Sequence, residues 1–116
     1  MKIKCGATKI WIASQPVDFR KAINGLSVLA NAHSDAGMGD SLYVFYNKAK
    51  SKIKILGYHR NGYIMIYKQL DKKRFTLKDD DLPFYMLTEQ HFEWLLAGLD
   101  WVDMAGLNVS LPTDFF

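Results

Sequence analysis

Disulfide cross-linking, thiolate metal capture and membrane crossing all lack raw material in this sequence. Cys5 is the sole cysteine in 116 residues, so an intramolecular disulfide is excluded and a Cys-based zinc site has no ligand set. A passive thiol of this kind fits a reducing cytoplasm, which is the expected location. No apolar run approaches the length of a membrane span, and Met1 to Lys9 alternate Lys with small or apolar residues, so neither membrane contact nor a signal peptide is expected. Gly-rich phosphate loops, H-E-x-x-H and G-x-S-x-G are all missing. His33, His59 and His91 lie far apart in unlike contexts, and the consecutive Asp79, Asp80 and Asp81 point their side chains in different directions. The sequence therefore predicts no catalytic residues, no metal and no cofactor. A small magnesium-dependent nuclease built on those three aspartates is the weakest functional alternative.

One shortage is positional. Residues 79 to 116 contain no Lys or Arg but eight Asp or Glu, whereas residues 41 to 78 hold ten Lys or Arg against Asp71 alone. The formal total of +3 thus hides a basic segment of about +9 and an acidic one of about −8. A basic segment interleaved with aromatics attracts a polyanion; an acidic one attracts a basic partner or screens its neighbour. With 49% apolar and 23% charged residues, the composition is that of a globular protein. The length suits a single domain over 1–116.

Alternation in Lys9 to Ala13 predicts a strand that Pro16 ends. Asp18 is placed to cap a helix from Phe19 to Ala32, with Phe19, Ile23, Leu26 and Ala30 at helical spacing. His33 to Asp40 reads as a loop. Three strand-like runs follow, SLYVFYN, KIKILGYH and YIMIYKQL, the last two joined through an Asn61-Gly62 hairpin signal. A fourth short strand is expected at Arg74 to Leu77. Thr88 then caps a helix from Glu89 to Ala97 that Gly98 stops, and residues 102–116 form an apolar extension without clear period. The fold class is α+β: a mostly antiparallel β-meander with one helix before it and one after it.

Several segments together resemble the accessory protein encoded beside the transposase in insertion sequences of family 66, labelled TnpB or the second open reading frame product. They are KIWIA, the Asp18, Arg20, Lys21, Gly25 and Leu26 of VDFRKAINGL, then LYVFYNKAKSKIKIL, GYIMIYKQLDKKRF and LTEQHFEWLLAGLDW, in matching order over residues 7–101. The chain departs from the family pattern at Gly57, Tyr58 and His59, and at Leu77 and Lys78. The resemblance implies participation in transposition alongside a separate catalytic transposase; it implies no established enzymatic activity and no agreed catalytic residues.

From the residues themselves, the hairpin is expected to show an outward face of Lys52, Lys54, Tyr58, Tyr63 and Tyr67, with Lys48, Lys50 and Arg60 at its loops and Lys72, Lys73 and Arg74 extending the positive potential. Tyr rings stack on unpaired bases and Lys neutralises phosphates, so DNA, either element ends or any sequence, is the expected ligand of this face. A half-exposed sheet covered by cross-strand Tyr and Lys is the bland alternative. Arg20, in what reads as a first helical turn, needs an anionic partner, either a structural carboxylate such as Asp18 or a phosphate. The apolar tail either packs onto its own domain or, like the acidic segment, meets a protein partner: the transposase, another element-encoded protein, or a second copy in a homo-oligomer. A protein adaptor that touches no nucleic acid is the alternative function.

Overall fold

The computed structural model describes residues 9–34, 36–77 and 81–98. Five strands form one sheet: β1 (Ile10–Ala13), β2 (Leu42–Tyr46), β3 (Lys52–His59), β4 (Gly62–Gln69) and β5 (Phe84–Leu87), in the order β4-β3-β2-β1-β5. β2, β3 and β4 make the predicted antiparallel meander. β1 joins it in parallel, Ile10 beside Leu42 and Ile12 beside Val44, because the return from β1 to β2 passes through helix α1 (Ile23–Ala32) rather than a tight turn. Helix α2 (Glu89–Leu96) follows β5. The class is α+β, with one helix inserted before the meander and one after it.

The meander stops at three strands and lacks the expected fourth. Residues 74–77 form no strand; the Phe75 amide donates to the Lys50 carbonyl at 2.7 Å, and the Phe75 side chain is buried in the core. The fifth strand is instead Phe84–Leu87, which pairs antiparallel with β1. Pro83 removes a helical option and delivers an extended chain directly into that pairing.

Both faces of the sheet are covered at its centre, so neither is the open platform the alternation suggested. Trp11, Tyr43, Phe45, Lys54 and Leu56 point one way, towards α1 and the segment before it; Ile12, Val44, Ile53 and Ile55 point the other way, towards α2. Leu26 and Ala30 of α1 and Leu95 of α2 are fully buried against these two sides. His33, at the end of α1, sets its ring among Trp11, Tyr43 and Phe84, with centroids 4.5, 5.7 and 4.9 Å away, and its Nδ1 lies 2.8 Å from the Tyr43 hydroxyl. Burial pushes the Tyr43 phenol pKa upward.

Candidate nucleic-acid interface

The turn between β2 and β3 is organised by one side chain. Asn47 Oδ1 accepts from the Ser51 and Lys52 amides at 2.9 and 3.0 Å, and its Nδ2 donates to Ser51 Oγ at 3.1 Å. That bonding holds Lys50 at φ +59°, with Lys48 and Lys50 exposed at the tip. A second basic segment is lashed to the same turn: the Leu70 amide donates to Ser51 O at 2.9 Å and the Phe75 amide to Lys50 O. Phe75, 2% exposed, pins the far end of this segment in the core. Lys72, Lys73 and Arg74 are thereby displayed between Leu70 and Phe75, all exposed.

Lys48, Lys50, Lys52, Lys72, Lys73 and Arg74 consequently share one end of the sheet, although 20 to 26 positions separate the two basic triplets' extremes in the chain. None of the six forms an ion pair among the described residues. Tyr67, half-exposed, stands on β4 two residues before Gln69, the partner of Lys52, and so borders this basic end.

Lys54 does not belong to it. Its side chain turns under the segment that precedes α1, where Nζ donates to the carbonyls of Phe19 and Lys21 at 2.9 Å each and sits 4.6 Å from the centre of the Phe19 ring. At 8% exposure it is a buried structural cation, correcting the expectation that it faces water. The same contacts explain why α1 starts at Ile23 and not at Phe19. The Phe19 and Lys21 carbonyls point at an ammonium instead of forming a first helical turn, and Ala22 becomes the N-cap, with no side-chain cap bond.

Asp18 therefore caps a turn, not the helix. Its Oδ1 accepts from the Arg20 amide at 2.9 Å, and its carboxylate receives the Arg20 guanidinium through Nε and Nη2, the latter at 2.6 Å. The guanidinium bonds, and then the amide bond, lower the Asp18 pKa from 3.8 to about 2; the carboxylate in turn raises that of Arg20. Arg20 has found its anion in the chain itself.

The remaining candidates lie at the other end. Tyr58 and Tyr63 face each other across the β3–β4 ladder, edge to face at 5.1 Å, both exposed, and Tyr63 Oη accepts from Asn31 Nδ2 at 3.1 Å. Arg60 occupies the hairpin tip. The tip itself sits one residue earlier than the Asn61-Gly62 signal indicated: His59 pairs with Gly62, and Arg60 (φ +41°) and Asn61 (φ +70°) are the central pair. Cross-strand pairing of Tyr58 with Tyr63 and Ile55 with Ile66 wins over the turn preference of glycine. Eight-residue strands separate this tip from the basic end by about 24 Å, so the expected site is split in two.

Among the described residues no three His, Cys, Asp or Glu side chains are placed to hold a metal ion, and no helix is long and apolar enough to cross a membrane. Asp81 is exposed, while Asp79 and Asp80, Trp101 and the apolar extension fall outside the described residues. A pocket of about 390 Å³ between Pro16, Leu29, His33, Phe45 and Phe84 has an almost wholly apolar lining.

The family profile described as IS66 Orf2 like protein matches residues 8–106. The chain belongs to that family. The uncharacterized protein y4jC of Sinorhizobium fredii (strain NBRC 101917 / NGR234) is 33% identical over 110 residues, covering 90% of this chain and 91% of y4jC. No solved structure matches. Membership ties this IS66 Orf2-like chain to insertion-sequence transposition in an accessory role.

Proposed function

We propose that the protein is a non-catalytic accessory factor of transposition that contacts DNA through the basic end built from Lys48, Lys50, Lys52, Lys72, Lys73 and Arg74. The observation that carries this reading is that two cationic segments, distant in sequence, are tied together by main-chain bonds and left without carboxylate partners among the described residues. Unpaired cations held at one edge raise the local potential and gain free energy by releasing counterions from a phosphate backbone. Tyr67 adds a half-exposed ring beside them, and Arg60, Tyr58 and Tyr63 form a second, smaller contact.

Labelled single- and double-stranded element ends, titrated between low and physiological salt, test this. Binding through this end gives a log-log salt slope of about −0.7 to −0.9 per phosphate neutralised, and a Lys72→Ala/Lys73→Ala/Arg74→Ala variant flattens it by about two to three phosphates' worth. An unchanged slope removes the basic end from the interface. A transposase adaptor that touches no DNA is the second reading; it draws on Leu82 and Met86, exposed at and beside the β5 edge, 62% and 58%. Retention of transposase by the triple variant, with no DNA bound by either protein form, favours it.

A further inference from the structure

β4 is the outer strand of the sheet, and nothing among the described residues pairs with its free edge. Natural edge strands are blunted by charge, proline, a bulge or a covering element. Among the described residues β4 has none of these from Gly62 to Tyr67: the stretch is uncharged, lacks proline, and its register with β3 runs without interruption. Lys68, the first charge, is turned away to the Leu96 carbonyl of α2. Ile64 is 50% exposed and Ile66 36%, with Tyr63 and Tyr67 exposed on the opposite face.

The residues on this edge read Tyr63-Ile64-Met65-Ile66-Tyr67, the same in both directions. A strand of that kind is complementary to itself when a second copy approaches antiparallel about a two-fold axis at Met65: Tyr63 meets Tyr67, Ile64 meets Ile66, and Met65 meets Met65 of the other copy. The backbone agrees with this centring. In a two-residue hairpin the closing pair, here His59 and Gly62, exchanges hydrogen bonds, so Gly57–Ile64 and Ile55–Ile66 do so as well. The amides and carbonyls of Tyr63, Met65 and Tyr67 must then point outward, and these are the residues that an axis at Met65 brings into register. About six inter-copy backbone bonds follow.

We infer that β4 is a homodimer interface, joining two sheets into one continuous ten-stranded sheet through the Tyr63–Tyr67 edge. The exposed isoleucines become cross-strand neighbours on one face and the tyrosines on the other, where the rings stay open to that face. Continuing the same register past the strand ends carries Asp71 of each copy towards His59 and Arg60 of the other, so opposite charges meet at the rim. It also sets each hairpin tip beside the other copy's Lys72–Arg74 segment, reuniting the two halves of the basic site that lie apart within one chain. The dimer does not depend on DNA binding, and a monomer that binds DNA would sink only the dimer.

Sedimentation of the full chain reads the mass, and cysteine cross-linking in a Cys5→Ser background reads the register. Met65→Cys is expected to oxidise readily to a disulfide-linked dimer, because residues facing across an antiparallel hydrogen-bonded pair have Cα atoms about 5.5 Å apart. Tyr63→Cys alone is not, since like residues there lie about 14 Å apart, but an equimolar mixture with Tyr67→Cys is. Ile64→Lys/Ile66→Lys, changing two exposed side chains, is expected to raise the dimer dissociation constant at least about 30-fold while leaving the circular dichroism spectrum unchanged. A full chain that stays monomeric to about 100 μM overturns the inference, whether its edge is open, covered by its own residues 99–116, or reserved for another protein. So does a dimer that cross-links at Tyr63→Cys as well as at Met65→Cys, or one that survives the double lysine substitution.

Discussion

The Lys54 ammonium donates to the Phe19 carbonyl at 2.9 Å while resting 4.6 Å from the centre of the same residue's ring. One buried cation thus fixes both the main chain and the side chain of the segment leading into α1. Lys54→Met keeps most of the stem packing but strands the Phe19 and Lys21 carbonyls, and is expected to cost about 1–3 kcal/mol in urea unfolding. The same variant should leave the salt slope of DNA binding unchanged, in contrast to substitutions at Lys72, Lys73 and Arg74.

Asp18 titrates in acid. Its folded pKa is about 2 against an ordinary 3.8, so its contribution to stability is present above about pH 4 and is lost as pH falls through about 2. Carboxyl NMR of the wild-type protein should show that low midpoint. In Arg20→Gln, which removes the guanidinium partner, the midpoint should move up towards 3.8. An unshifted midpoint would mean that the ion pair does not persist in solution.

Both ends of α2 rest on single residues. Thr88 Oγ1 accepts from the His91 amide at 3.0 Å, and Gly98 takes φ +74° at the stop, with Leu70 Cδ2 3.5 Å from where a Cβ would stand. Thr88→Ala and Gly98→Ala should each lower stability by about 1 kcal/mol, the first by removing a cap, the second through backbone conformation rather than space. Thr88→Ser should lose little. Chemical denaturation distinguishes the three.

Arg60 is held at φ +41°, a region that L side chains enter at a cost. Arg60→Asn suits that conformation better and is expected to raise stability by about 0.5–1 kcal/mol. If the hairpin tip also meets phosphate, the same change weakens DNA binding, so one variant separates folding from function. Thermal unfolding and the salt titration, run on the same sample, read both.

What was legible in the sequence was whatever depends on local periodicity. Lys52, Lys54 and Tyr58 do share a face with Tyr63 and Tyr67, and Thr88 and Gly98 do bound α2, because alternation and capping act over a few residues. The early start assigned to α1 failed for a non-local reason: Lys54, 33 and 35 positions away, takes the carbonyls that the first turn would have used. β5 was missed because four residues after a proline carry little pattern, and only β1 supplies their partner. The basic end was legible as charge but not as a place. Its signal is Asn47, whose fitness for a side-chain-closed turn brings Lys50 and Ser51 to the Leu70–Phe75 segment. Lys54 misled because alternation assigns a residue to a side of the sheet and says nothing of what lies over that side.

The Lys50–Phe75 and Ser51–Leu70 ties are made entirely by peptide groups, which every sequence possesses. Lysines and arginines displayed there are consequently decoupled from the scaffold, and substitution can exchange, add or delete them without disturbing how the chain folds. Relatives of this protein are free to vary the charge of that edge while inheriting the framework intact.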